Sequence, residues 1–263
     1  ITPNKKISES DLFISLSNIL DKNNYVYPKP HDIKFWENKL YMHEKFDKYN
    51  LNTPKSFYYT FEQINYEDLS KNLGNSFIVK DPNSSGSRGV FLINSSENFS
   101  KLKSKLSEGK VFIFQKLINM RKDLRVIIIG NEIVLHYWRL NNEKEWKPTS
   151  TSFGSSVDFI SFPENHRMKI INDFNKLGIL SGAFDICWEN DDVFSDPIYL
   201  EVSTFYQANP EPSRFGFNIP YGKTYSEWKK TILGKHSFTS IQVKNLSYIQ
   251  SKLTSEIIRG FKN

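Results

Sequence analysis

Hydrophobic positions along the chain follow two periods, and the switches between them mark the elements. Leu12, Phe13, Leu16, Ile19 and Leu20 recur at helical spacing behind Ser8 or Ser10, either of which can cap a helix. A polar, proline-marked stretch over 21–31 separates this from a second helix over 35–49. That helix is carried by Phe35, Trp36, Leu40 and Phe46 and stops before Asn52, Thr53 and Pro54. Residues 56–59 read as extended, 61–72 as a helix and 76–80 as a short strand, after which a polar Gly/Ser loop leads to a strand over 89–93. Residues 97–107 suit a polar helix, and VFIFQ at 111–115 suits a buried strand. The runs LRVIII and EIVLHYW flank Gly130 and Asn131, a two-residue hairpin signal. A turn-rich stretch over 141–156 precedes a helix over 163–178 opened by Pro163. Strands over 183–188 and 198–202 follow, and two helices close the chain. The class predicted is α+β, built on antiparallel hairpins.

Composition narrows this picture. Hydrophobic residues make up only 38% of the 263, but 21 Phe, 13 Tyr and 5 Trp supply large areas for burial. The net charge of +6 suits anionic partners, yet 35 Lys and Arg are spread among 29 acids, so a solvated surface is the better reading than a nucleic-acid footprint. Cys187 stands alone, which excludes an internal disulfide and a cysteine zinc site and fits a reducing compartment. No apolar run approaches the ~20 residues that span a bilayer, and the N-terminus lacks a signal peptide's apolar region. The expectation is a cytoplasmic protein without a membrane span. Its first residue is Ile rather than Met, which favours part of a larger multidomain chain.

Three clusters can carry chemistry. In KDPNSSGSRGV, from Lys80 to Val90, Ser85, Gly86 and Ser87 lie between strands and offer N–H groups and hydroxyls to phosphate. This is no Walker A loop, and by itself an ordinary hairpin loop is the plainer account. Asp185 and Glu201 each sit in a short apolar strand; if these pair, two facing carboxylates repel unless a cation such as Mg²⁺ lies between them. The alternative is that one points to solvent. Asp123, Arg125, Arg139 and Lys147 form the third cluster, cations suited to phosphate or carboxylate, with an Asp123–Arg125 surface ion pair as the bland alternative. The five histidines share no motif, and Cys187 reads as a packing residue.

In order, FIVKDPNSSGSRGV, VFIFQKLINMRKDLRVIIIGNEIV, FDICW and IYLEVS resemble the ATP-grasp superfamily over roughly 36–210, in particular its RimK-like and D-alanine–D-alanine-type ligases. The resemblance implies two α+β subdomains with mainly antiparallel sheets clasping ATP. Residues 1–35 would be an N-terminal extension, 36–115 the subdomain with the phosphate loop, and 116–263 the subdomain with the metal site and C-terminal helices. It implies that Lys39 and Lys80 bind nucleotide with Ser85, Gly86 and Ser87, that Gln115, Lys116, Leu117 and Ile118 form the adenine hinge, and that Asp123 holds ribose. Asp185 and Glu201 match the Mg²⁺ carboxylates, with Ser203 where an Asn is usual; Asn209 is a possible substitute. Arg139, then Arg125 and Lys147, are the candidates for stabilising the transferring phosphoryl group or the oxyanion.

Departures from the family pattern are Lys116 in place of an acid, Gly182-Ala183-Phe184 where some members carry an arginine, and too short a segment before Lys39 for a Rossmann-like substrate domain. The function implied is an ADP-forming carboxylate–amine ligase acting through an acyl phosphate. Its partners would be a small-molecule carboxylate and an amine, the acid being an amino acid, a peptide or a sugar acid of a capsular polysaccharide. The alternatives are a kinase on the same fold and a polyanion-binding module.

Overall fold

The computed structural model describes residues 15, 27–84, 87–106, 109–141, 143, 145–151, 154–159, 161–206 and 238–261. The helix expected behind Ser8 or Ser10, residues Ser85, Gly86 and Asn209, and the first closing helix expected within 207–237 lie outside them. Among the described residues no helix is long and apolar enough to cross a membrane.

Two antiparallel sheets follow one another along the chain. The first contains β1 (Ser56–Tyr59), β2 (Phe77–Lys80), β3 (Val90–Ile93) and β4 (Phe112–Lys116) in the order β1-β4-β2-β3. The second contains β5 (Lys122–Ile129), β6 (Glu132–Leu140), β7 (Ser156–Asp158), β8 (Ser181–Cys187) and β9 (Ile198–Ser203) in the order β7-β6-β5-β8-β9. The hairpin expected at Gly130 joins β5 to β6, with Gly130 in the left-handed region at φ 58 that glycine adopts without a Cβ penalty.

Period two decides what each sheet face does. On the first sheet Phe77, Val79, Phe112 and Phe114 face α3 (Tyr66–Leu73) and α4 (Ser96–Lys103), whose Leu69, Leu73, Phe99 and Leu102 complete one core. The alternate residues Ile78, Lys80 and Gln115 are left for the opposite face. On the second sheet Leu124, Val126, Ile128, Phe184 and Ile186 face a larger core closed by α5 (Arg167–Lys176) and two N-terminal helices. Their neighbours Ile127, Ile129 and Ala183 pack on the other side, where Ile249 of α6 (Phe238–Phe261) covers them.

The single helix expected over 35–49 is two: α1 (Pro30–Glu37) and α2 (Lys39–Lys48). Asn38 breaks them at φ −140, ψ 104, and its side-chain oxygen accepts from the N–H groups of Leu40 and Tyr41, capping α2. Pro30 opens α1, where its missing N–H costs nothing. Phe35, Met42 and Phe46 pack into the core of the second sheet, not the first, although β1 is their neighbour in sequence. Asn65 delays the next helix by capping it through the Asp68 N–H. The three-residue strand β7 has no counterpart in the sequence pattern.

Candidate active site

The second sheet builds one wall of a cleft. Asp123 and Arg125 alternate with core residues on β5 and so share a face, and the register sets Asp123 opposite Arg139, Arg125 opposite Asp185, and Asp185 opposite Glu201. On β9 the pairing shifts between Tyr199 and Glu201, leaving Leu200 as an extra residue. The bulge lets Tyr199 and Val202 enter the core while Glu201 and Ser203 line the cleft.

The charges form a ladder across three strands. Arg139 forks Asp123 through Nε, at 2.8 Å, and Nη2, and the same Nη2 lies 3.0 Å from Asp185 Oδ2. Arg125 forks Asp185 at 2.8 and 3.0 Å. Such charge-assisted, bidentate pairs are strong, and here they offset the desolvation of the buried charges. Desolvation would raise the Asp185 carboxyl, but the guanidiniums of Arg125 and Arg139 outweigh it and hold the group below the ordinary carboxylate range. The expected Asp123–Arg125 ion pair does not form, because residues two apart on a strand lie side by side while cross-strand partners face each other.

The first sheet supplies the opposite wall. Lys80 ends β2, half-buried, and its ammonium is pushed down to about 8 by desolvation, the Lys39 charge adding to this and Glu201 opposing it. Lys39 opens α2; its Nζ donates to the Ser84 carbonyl and lies 3.6 Å from Glu201 Oε1, so it ties the loop after β2 to the second sheet. The Lys39 N–H donates to the Pro82 carbonyl at 3.1 Å in the same loop. Gly89 closes this loop through its carbonyl to the Asp81 N–H at 2.8 Å, and a Cβ there would lie 1.8 Å from Ser84 Oγ. His43, one turn along α2 from Lys39, is buried, and neither ring nitrogen has a hydrogen-bond partner among the described residues. Burial first, then the charges of Lys80 and Lys39, push it down to about 3, so it is neutral.

These walls enclose a cleft of about 320 Å³. Of the residues singled out from sequence, it is lined by Lys39, Lys80, Ser87, Gln115, Lys116, Leu117, Ile118, Asp123, Arg125, Arg139, Asp185, Glu201 and Ser203. Lys147 is not among them: its side chain is 44% exposed and pairs with Glu143 at 3.2 Å, while its neighbours Trp146 and Pro148 turn inward. Asp123 is present and held in place: Arg139 bonds both its oxygens, and the Thr149 hydroxyl bonds it as well.

The sequence pattern did not single out Thr149 and Ser150, buried polar residues in a stretch that looks like plain loop, or Phe205, whose ring lies 4.9 Å from that of Trp36 at the cleft, where Trp36 is exposed and not packed as its helical spacing suggests. Nothing in the local pattern of these residues marks them.

The donor set, two carboxylates and a hydroxyl, is of the hard-oxygen kind that suits Mg²⁺. Glu201 is half-exposed, Asp185 Oδ1 accepts one bond and keeps a lone pair, and Ser203 Oγ donates its hydrogen to the Phe205 carbonyl, which leaves its lone pairs for a cation. Among the described residues no group of three His, Cys, Asp or Glu side chains surrounds a point.

No protein-family model and no curated protein sequence matches the chain. Its fold does match solved structures. The D-alanine–D-alanine ligase from Bacillus anthracis, complexed with ATP, aligns with a TM-score of 0.57 at 14% identity, over 90% of this chain and 76% of that one. A RimK-domain ATP-grasp protein from Sphaerobacter thermophilus aligns with a TM-score of 0.54 at 10% identity, over 73% and 68%. The ATP-grasp ligase PsnB, complexed with a precursor peptide and AMPPNP, aligns with a TM-score of 0.54 at 15% identity, over 80% of this chain but only 64% of its own. The chain has the ATP-grasp fold.

Proposed function

We propose that this chain binds ATP with Mg²⁺ in the cleft and uses the γ-phosphoryl group to activate a carboxylate for capture by an amine. One convergence carries the proposal: Lys39 and Lys80 from one wall, the 115–118 segment from the floor, and Glu201 beside Asp185 from the other wall meet in a single cleft of an ATP-grasp fold. Lys39 and Lys80 supply charge for the phosphates, and the backbone of 116–118 supplies polar groups for the base. Glu201, Asp185 and Ser203 are the residues that would hold Mg²⁺, which neutralises the phosphates as the γ-phosphoryl group leaves.

The substrate carboxylate oxygen bonds to the γ-phosphorus while the bridging oxygen departs with ADP. The amine then attacks the acyl carbon and phosphate leaves. Both steps build charge on oxygen. Arg125 and Arg139 each commit Nε and Nη2 to carboxylates, and among the described residues no bond takes their Nη1 hydrogens, which leaves held donors for that oxygen. Among the acids considered, an amino-acid or peptide carboxylate is the one supported by the neighbours' names, which mention D-alanine and a precursor peptide; they do not support a capsular sugar acid.

Nucleotide binding is tested by melting. ATP with Mg²⁺ should raise the Tm, and Lys80→Ala and Glu201→Gln should each shrink the rise. A Tm unmoved by millimolar nucleotide would refute the proposal and favour a polyanion-binding module.

A further inference from the structure

The connection over 117–121 carries the chain from the first sheet to the second along the floor of the cleft, and its two parts are treated differently. Leu117 and Ile118 both line the cleft, and outside the strand ladders their backbone groups have no hydrogen-bond partner among the described residues. Further along, the N–H and carbonyl of Asn119 and the N–H of Arg121 are taken by the turn between β8 and β9. Asn119 donates its N–H to Glu189 Oε1 at 3.0 Å and accepts the Asn190 N–H on its carbonyl at 2.6 Å, while its side-chain amide donates to Asn190 Oδ1 at 2.6 Å. Asp191 Oδ1 accepts the N–H groups of Arg121 and Lys122 at 3.0 and 3.3 Å. Glu189 also reaches Lys116 Nζ at 3.5 Å.

This turn is not a relaxed one. Asn190 and Asp191 both adopt left-handed backbone, at φ 56 and 57, which side chains with a Cβ disfavour and which persists only where surrounding contacts hold it. Trp188, buried at its base, anchors it by donating from Nε1 to the Ser195 carbonyl at 3.1 Å. Three successive polar side chains, on a strained turn, aim at one five-residue connection.

We propose that Glu189 and Asp191 are positioning residues for the nucleotide base: they lock 119–121 so that the free N–H and carbonyl groups of Leu117 and Ile118 present a fixed donor–acceptor pattern to it. This rests on the cleft binding ATP. Without the clamp those groups lose their register, and recognition of the base weakens while the phosphate contacts of Lys39 and Lys80 stay as they are.

The test compares Mg·ATP, Mg·GTP and inorganic tripolyphosphate, which has no base, by calorimetric titration of the full chain and its Asp191→Ala, Asp191→Asn and Glu189→Ala variants. Asp191→Ala should raise the Kd for Mg·ATP about tenfold, the scale of one or two lost hydrogen bonds, and should narrow the preference for ATP over GTP. Tripolyphosphate affinity should not change, and Asp191→Asn, which keeps Oδ1 as an acceptor, should recover most of the loss. Should Asp191→Ala fail to fold, Glu189→Ala, at a side chain that is 38% exposed, carries the same comparison. Equal losses for ATP and tripolyphosphate, or ATP binding left unchanged, would overturn the inference alone. An unaltered chain that binds no ATP would overturn the nucleotide reading and the clamp with it.

Discussion

Removing Arg139 is the sharpest perturbation of the charge ladder. The side chain is 8% exposed and serves two carboxylates at once, forking Asp123 and touching Asp185. Arg139→Leu keeps most of the buried volume but leaves Asp123, whose side chain is 3% exposed, with only the Thr149 hydroxyl. Breaking one partner out of a buried ion pair costs about 3–5 kcal/mol, because the remaining charge stays desolvated and uncompensated. For a chain of this size each kcal/mol shifts Tm by roughly 2–4 °C, so Arg139→Leu should melt about 6–20 °C lower. Asp123→Leu combined with Arg139→Leu should restore most of that loss, since no orphaned charge remains at position 123 and Arg125 still holds Asp185. The assay is a double-mutant cycle by thermal and urea unfolding. A single-variant cost under about 1 kcal/mol, or a double variant as unstable as the sum of the singles, would refute the coupled ladder.

Three more outcomes follow from the geometry. Lys80 is held near 8, and phosphate oxygens would raise it, so nucleotide binding between pH 8 and 9 should take up protons; calorimetry in buffers of differing ionisation enthalpy checks this, and proton release would contradict it. Gly89→Ala places a methyl 1.8 Å from Ser84 Oγ and 2.9 Å from Asp81 Cβ, so it should displace the loop that Lys39 holds and weaken ATP binding, read by calorimetric titration. Asp173 is subject to desolvation but is held below the ordinary carboxylate range by bonds from Lys176, Tyr199 and Lys169. A depressed folded-state carboxyl contributes stability above its unfolded pKa and loses it as pH falls through the folded one, so Asp173→Asn should flatten the stability profile below about pH 4.

Period two made much of the site legible in advance. Asp123 and Arg125 interrupt an apolar β5 at alternate positions, so their common face could be read from the residues themselves, whereas Asp185 and Glu201 each stand singly in a strand and left open whether one points to solvent. Cross-strand register could not, and it decides that Arg139 rather than Arg125 faces Asp123. The bulge at Leu200 was hidden for a related reason: it changes the facing of Tyr199 relative to Glu201 without any glycine or proline to mark it. Asn38 reads as one more polar residue in a helical pattern until its side chain is seen capping the second of two helices. Lys147 illustrates the limit for irregular segments, where no period tells which of Trp146, Lys147 and Pro148 turns inward.

The central claim is that a carboxylate is phosphorylated in this cleft and then handed to an amine. The most direct measurement incubates the chain with ATP, Mg²⁺, a panel of amino-acid and peptide carboxylates, and hydroxylamine as the trapping nucleophile. Formation of a hydroxamate matched by an equal amount of ADP, and lost in Lys80→Ala, is the predicted result. A stable phosphorylated product with no hydroxamate would contradict the ligase and identify a kinase on the same fold.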